Sequence, residues 1–407
     1  MEETIVALDV GTTKVCALIA EVNQDEELRI VGVGIAPSRG LRKGIVVDVE
    51  KATEAITAAL SKAEDISGYK IDRAYVGVSG GHISSVNSRG VAAISRGPRG
   101  VTLEDMDRAM DAAQAIAIPH HREIVHAIPR GYTVDGQEGV RNPLGLHGYR
   151  LEVEAHVITG NVAPIHNLVK CVQATGIEVS DLVLGPLAAG EAVLTPAEKE
   201  MGVVLVDIGG GTTDMAIFID GSIWHTLILP VAGNHLTNDI AVGLRAPFNV
   251  AEEVKIRYGH AIPEAIAPEE SIDVTAFGET SQRTITRRRL AQIIEARTEE
   301  IFDLVLKEIK RSGYDGLLPA GLVACGGTAE LSGLREFGSQ ALDLPARLGL
   351  PEPLPGLVDI LKSPAYATSV GLLLWGLRRM KDREISPRAS GPISRRLKGW
   401  LKALLPG

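Results

Sequence analysis

Short apolar runs that stop at glycine turns recur along this chain and predict its framework. Ile5-Val6-Ala7-Leu8 ends at Asp9-Val10-Gly11-Thr12-Thr13-Lys14. Val203-Val204-Leu205-Val206 ends at Asp207-Ile208-Gly209-Gly210-Gly211-Thr212-Thr213-Asp214, and Leu322-Val323-Ala324-Cys325 ends at Gly326-Gly327-Thr328-Ala329. Such runs predict buried strands that enter tight turns. Other stretches carry helical spacing, near Val49–Glu64, Thr102–Ile116 and Ile165–Thr175. A long amphipathic helix is predicted from about Thr286 to Lys310, with Leu290, Ile293, Ile294, Ile301, Leu304, Val305 and Ile309 on its apolar side. Strands and helices interleave, which makes this an α/β chain.

The end of the sequence has a pattern of its own. On a helical wheel Ile393, Leu397, Trp400, Leu401, Leu404 and Leu405 fall within about one third of the circumference. Arg395, Lys398, Gly399 and Lys402 lie outside that stripe, and Arg396 sits on its edge. Pro392 suits the first helical turn and Pro406 ends the run. A helix over 393–405 would be roughly 20 Å long, too short to span a bilayer. Leu and Trp opposite Lys and Arg is the pattern of a helix lying in the lipid interface. The other reading is a last helix docked on the body of the protein. The basic face and the Pro- and Gly-containing linker at 381–392 favour lipid.

Composition sharpens this division. The 407 residues, 45% hydrophobic, suffice for two or more domains. Cys16, Cys171 and Cys325 are isolated, which suits small buried residues in a reducing compartment better than disulfides or a zinc framework. No apolar stretch reaches the roughly 20 residues of a spanning helix. Met1-Glu2-Glu3 lacks the positive start of a secretory signal, so cytosolic synthesis is expected. The net charge is −9, yet Ile385 to Gly407 holds five basic residues and no acidic one, which leaves −14 on the rest. An acidic body argues against nucleic acid as a partner; the basic tail is a separate unit.

The turns carry the chemistry. Glycines let backbone approach a ligand closely, and hydroxyl and N–H groups of such turns can hold phosphate oxygens. Asp9 and Asp207, one at each strand end, suit a Mg²⁺ held largely through water and phosphates; the alternative is that each caps the turn after it. Lys14 would neutralise phosphate charge.

The three turns, in this order, resemble the two phosphate motifs and the adenosine motif of the actin-like ATPase superfamily. That resemblance implies a duplicated two-lobe α/β fold with ATP and Mg²⁺ between the lobes. It implies binding through Asp9, Gly11, Thr12, Thr13, Lys14, Asp207, Gly209, Gly210, Gly211, Thr212, Thr213, Gly326, Gly327 and Thr328. Glu252 and Lys255 match an adenosine-holding pair, although three-residue spacing on one helical face also fits a surface ion pair.

An insert over 82–160, read as strand–helix–strand, narrows the family. Asp72-Arg73-Ala74-Tyr75-Val76-Gly77-Val78-Ser79-Gly80-Gly81-His82-Ile83, Ile124-Val125-His126-Ala127-Ile128-Pro129 and Tyr132-Thr133-Val134-Asp135-Gly136 look like the insert region of the bacterial FtsA family. Val193-Leu194-Thr195 with Glu198-Lys199-Glu200 is similar to that family too. The expected layout is a first lobe of 1–81 and 161–200, with 365–380 returning to it. A second lobe of 201–240 and 315–364 carries a subdomain over 241–314. The resemblance implies a peripheral protein on the cytoplasmic face of the membrane at the division site. It would self-associate as a filament, bind anionic lipid, tether filaments of the tubulin-like FtsZ and meet further division proteins.

One departure from the family pattern, two side-chain clusters and two rival functions remain. Many relatives carry Glu or Gln before a proline preceding the second phosphate turn, whereas this chain has Gly185-Pro186. Slow or absent turnover is therefore expected; Glu191 is near in sequence but not at the matching position. Arg283, Arg287, Arg288 and Arg289 crowd the start of the long helix against its dipole. They are either a solvated charge run or a dock for the acidic FtsZ tail. His120, His121 and His126 fit a strand and its edge better than a metal cluster. A pilus-assembly protein of the PilM type shares the expected fold but not the basic tail, and a sugar or acetate kinase would need a catalytic base that no motif supplies.

Overall fold

The first apolar run becomes strand β1, Glu3–Val10, which pairs antiparallel with β2, Lys14–Val22, so that Val10 faces Val15 across the turn. In the computed structural model, which describes residues 3–94, 100–277, 283–356 and 359–385, this hairpin opens the first lobe. Strand β3, Leu28–Pro37, joins β2, and a small ribbon of β4, Leu41–Arg42, and β5, Ile45–Val46, follows. Helix α1, Val49–Ser67, buries Ala52, Ala55, Ile56, Ala59, Leu60 and Ala63, one stripe at helical spacing. Its alanines bring it close to the sheet: a Cβ on Gly34 of β3 would run into the backbone of Ala59. Asp48 caps α1 by accepting from the Lys51 N–H at 3.1 Å. Strand β6, Arg73–Val78, then pairs parallel with β1.

The insert is richer than the sequence suggested. It holds β7, Ser84–Ala93, α2, Leu103–Gln114, β8, Arg122–Val134, β9, Gln137–Val140, and β10, Arg150–Asn161. The sheet order is β7-β10-β8-β9, with α2 packed against it. Strand–helix–strand is thus corrected to four strands and one helix. The second half of β10 is buried on both faces, which erases the alternation that marks a strand in sequence.

Helix α3, Val162–Gln173, leads to β11, Glu178–Leu184, which completes the first sheet in the order β11-β6-β1-β2-β3. Helices α4, Gly185–Val193, and α5, Pro196–Met201, cross to the second lobe. There β12, Val203–Ile208, β13, Thr213–Ile219, and β14, Ser222–Leu229, repeat the opening hairpin. Helices α6, Gly233–Leu244, and α7, Phe248–Tyr258, follow, so α6 crosses the boundary expected at 240. The ribbon of β15, Ser271–Val274, and β16, Arg283–Thr286, precedes α8, Arg287–Ser312. Strand β17, Leu322–Cys325, helix α9, Leu334–Leu342, and strand β18, Ala346–Leu348, finish a sheet ordered β14-β13-β12-β17-β18. Of the predicted α8 stripe, Leu290, Ile294, Ile301, Val305 and Ile309 are buried, while Ile293 and Leu304 are half-buried. Phe302, outside that stripe, is fully buried.

Helix α10, Ala367–Ile385, returns to the first lobe and crosses α4 where Gly371 leaves no room for a Cβ beside the Ala188 backbone. It runs through Ile385, so residues 381–385 of the expected linker are helical. The stripe Ile393, Leu397, Trp400, Leu401, Leu404 and Leu405 lies outside the described residues. One apolar cluster runs from β1 and β2 through Val203, Leu205, Phe218 and Cys325, so the two lobes share core packing. Among the described residues no helix is long and apolar enough to cross a membrane.

Candidate nucleotide cleft

The two hairpin turns are built alike and face each other. In each, the first glycine N–H donates back across the turn, Gly11 to the Lys14 carbonyl and Gly209 to the Thr212 carbonyl, both at 3.0 Å. In each, the strand-end aspartate stands opposite a residue of the return strand, Asp9 opposite Cys16 and Asp207 opposite Asp214. Between the turns opens a cleft of about 410 Å³ whose wall also includes Glu252, Lys255, Gly326, Gly327 and Thr328. That volume falls within the range of small-ligand pockets.

Of the nucleotide-site residues expected from sequence, all but Thr213 line this cleft. Thr213 is fully buried and its hydroxyl donates to the Val231 carbonyl at 2.7 Å, so it ties down the second hairpin. The glycines have a second reason to be there. A Cβ on Gly210 would run into Thr13 Oγ1, and one on Gly211 into Thr12 Oγ1, so the turns interdigitate across the cleft. Thr12 Oγ1 also accepts from the Gly44 N–H at 3.0 Å. Thr328 Oγ1 donates to the Gly209 carbonyl at 2.8 Å, which joins the third turn to the second.

The Glu252–Lys255 pair belongs to the cleft wall and not to the open surface. Lys255 is only 9% exposed; its Nζ lies 2.7 Å from Glu252 Oε2 and donates to Thr237 Oγ1 at 2.9 Å. Thr237 in turn donates to Glu252. The hydrogen bonds hold both charged groups on the part of α7 that lines the cleft.

The start of α10 supplies residues that sequence reasoning missed. Ser369 Oγ donates to Asp9 Oδ2 at 2.8 Å, and Thr368 Oγ1 donates to Asp207 Oδ2 at 2.9 Å. Adjacent hydroxyls on one helix therefore hold one oxygen of each carboxylate. Lys14 Nζ donates to the Ala365 carbonyl and lies 4.4 Å from the centre of the Tyr366 ring. Burial raises Asp9 above the ordinary carboxylate range, with the Lys14 charge working against it. Burial pushes Asp207 up to about 6 and Asp214 to about 7; the Asp207 charge also raises Asp214. Three desolvated carboxyl groups in one cleft are costly without a cation.

These residues fit a divalent ion of the Mg²⁺ kind in a particular way. Among the described residues no three acidic, His or Cys side chains are close enough to ligate a metal by themselves. The ion would be held by Asp9 and Asp207 at one side and by water and phosphate at the other.

Comparison with known proteins fits this geometry. The family profile "Cell division protein FtsA" matches residues 204–371, and "SHS2 domain inserted in FTSA" matches 80–159. A Pseudomonas aeruginosa cell division protein FtsA is 45% identical over 98% of this chain and 97% of its own length. This chain belongs to the FtsA family. The Bacillus subtilis and Escherichia coli (strain K12) FtsA proteins are 39% and 36% identical, over 94% and 98% of this chain and 86% and 97% of theirs. Among solved structures, a PilM-PilN type IV pilus biogenesis complex aligns at TM-score 0.66 with 16% identity, over 92% of this chain and 98% of the other. MreB5 of Spiroplasma citri bound to ADP aligns at TM-score 0.55 with 16% identity, over 94% and 98%. These likenesses show the actin-like fold; the family rests on the full-length relatives.

Within this FtsA-family fold, the remaining expected residues separate. Arg287 donates to Glu270 Oε2 at 2.7 Å and to the Tyr258 carbonyl, and Arg288 donates to the Ile266 carbonyl at 2.7 Å. Arg283 and Arg289 are exposed and flank a small hollow lined by Leu244, Val274, Ala276 and Ile285. Glu191 pairs with Lys199 and Arg378 and is not part of the cleft wall. His126 lies on β8, where its Nε2 accepts from the buried Leu184 N–H at 3.0 Å.

Proposed function

We propose that this chain is a bacterial cell-division protein that binds ATP with Mg²⁺ between its lobes, self-associates as an actin-like filament and tethers FtsZ filaments to the cytoplasmic face of the membrane. The observation that carries the reading is the pair of interdigitated Asp-Gly-Thr turns, in a chain 45% identical to an FtsA protein over nearly its whole length. Glycine-turn N–H groups, Lys14 and the cation hold the phosphates, while Glu252 and Lys255 hold the adenosine side. When bound, the cation neutralises phosphate charge and the buried Asp9 and Asp207. Residues 393–405 are the lipid contact, and anionic lipid is the surface they suit. Further division proteins complete the partner set.

The PilM-type reading is weaker, because its likeness is one of fold at 16% identity. A kinase of small molecules is weaker still, because the cleft wall is accounted for by the nucleotide turns and their supports. For the FtsZ tail we favour the exposed Arg283 and Arg289 beside their apolar hollow, since Arg287 and Arg288 already serve their own lobe. Co-pelleting with FtsZ polymer, without lipid, tests the assignment. The full chain should enter the pellet to a saturable ratio, and charge reversal at Arg283 and Arg289 should lower that ratio severalfold. A chain that stays in the supernatant at every FtsZ concentration would refute the tethering role.

A further inference from the structure

The first residue of α4 is Gly185, so that position offers no side chain to the cleft it lines. Something else fills the space. A Cβ built on Gly185 would lie 3.1 Å from Asp214 Oδ2, with Ser79 Cβ next at 3.8 Å. Asp214 comes from the other lobe, from the return strand of the second phosphate turn, and is 5% exposed. Its Oδ2 accepts from Ser79 Oγ at 2.5 Å, and Ser79 Oγ lies 3.4 Å from Thr212 Oγ1. Its Oδ1 is buried and has no hydrogen-bond partner among the described residues. Both Asp214 and Ser79 line the cleft. A buried carboxylate oxygen without a donor is costly and asks for one from the cleft, and a water molecule is the donor that fits.

We propose that Asp214 is the catalytic carboxylate of slow ATP hydrolysis in this cleft, holding the attacking water from the place that a side chain at 185 would otherwise reach. The inference rests on ATP occupying the cleft as described above. Ser79 fixes Oδ2 and so leaves Oδ1 to accept from the water. The water oxygen forms a bond to the γ-phosphorus while the bond from that phosphorus to the β–γ bridging oxygen breaks. The electron pair leaves with ADP, and the water proton passes through Asp214 to bulk solvent. Water and ATP thus become ADP, phosphate and a proton, with no further reactant. Reach is the weak feature: aspartate is short and held from one side, which accords with slow turnover.

The test is single-turnover hydrolysis of ATP by excess full-length chain, with nucleotide affinity measured separately by titration of a fluorescent ATP analogue. Asp214→Asn keeps the shape and the hydrogen bond to Ser79. It should lower the hydrolysis rate roughly 100-fold, within the range of general-base losses, and leave affinity within about twofold. In an Asp214→Ala background, Gly185→Glu should restore at least tenfold, because removing Asp214 frees the space into which the new side chain projects. Ser79→Ala, which keeps the carboxylate, should lose far less than Asp214→Asn. Equal hydrolysis by the parent chain and Asp214→Asn, with nucleotide bound in both, overturns this inference alone. So does equal loss in Ser79→Ala and Asp214→Asn, which would make the pair a latch between lobes. No binding of nucleotide by the parent chain overturns the ATP reading and this inference together.

Discussion

At the residue scale, position 210 has two demands placed on it. Glycine there leaves room for Thr13 from the opposing turn, and under the proposed function it also leaves room for a phosphate oxygen from the cleft side. Gly210→Ala should therefore weaken ATP binding at least tenfold by forcing the turns apart. Adding Thr13→Gly should recover part of the loss, because it removes the atoms that the new methyl group meets. Calorimetric titration of both variants decides: a Gly210→Ala affinity equal to that of the parent chain would mean that the turns do not constrain the site. The motif residues were legible because strand, aspartate and glycine turn are consecutive, and local chemistry determines all three. Thr368 and Ser369 were not, since their partners Asp207 and Asp9 lie 161 and 360 residues away in sequence. Nothing local distinguishes a Thr-Ser pair at a helix start from an ordinary cap. Replacing both, as Thr368→Val with Ser369→Ala, removes two hydrogen bonds to charged acceptors. Thermal or denaturant unfolding should register a loss of about 3–6 kcal/mol without nucleotide, and a smaller one with bound nucleotide and Mg²⁺.

At the element scale, β8 shows how the insert is fastened to the first lobe. His126 on β8 accepts from the Leu184 N–H of β11 and meets Trp375 of α10 edge-on, with ring centres 5.5 Å apart. Burial, aided by the charge of Arg379, lowers its pKa to about 3. The unfolded value is near 6.5, so as pH falls the unfolded chain takes up this proton first. Stability is therefore lost between about pH 6.5 and 3, at up to ~1.4 kcal/mol per pH unit from this group. His156, lowered to about 3, and His82, lowered to about 4, act in the same direction. Asp207 and Asp214, raised by burial, act in the opposite one. Comparison with His126→Leu isolates the histidine. Its deficit in denaturant unfolding should narrow as pH falls from 7 to 4, and a constant deficit would contradict a neutral buried imidazole. Helices were the most legible elements: α8 spans 287–312 against a predicted 286–310. Strand β10 was hidden, because a strand buried on both faces loses its alternation. Residues 381–385 read as linker because two prolines and a glycine further on mark the whole of 381–392, whereas Lys381-Asp382-Arg383-Glu384 holds residues compatible with a helix.

At the scale of the whole molecule, charge divides the chain into an acidic body and a basic, apolar-striped end. Each basic residue near an anionic surface contributes on the order of 1 kcal/mol, and one short helix binds reversibly. Under the proposed function, several such tails carried on one filament would bind far better through effective concentration. Lipid binding by the full chain should thus fall as salt rises, since screening acts over a Debye length of about 8 Å at physiological ionic strength. Trp400→Glu, which puts charge in the centre of the stripe, should abolish most of it. The two-lobe plan was legible from a repeated motif, whereas the shared core between lobes was not, because contacts between lobes leave no periodic trace. Sedimentation of FtsZ polymer with anionic liposomes tests most directly whether one molecule joins nucleotide, FtsZ and membrane. With the full chain, ATP and Mg²⁺, FtsZ should move into the liposome fraction; with a chain lacking residues 393–407, both proteins should stay out of it. Equal recovery of FtsZ on liposomes with the truncated chain would contradict the account.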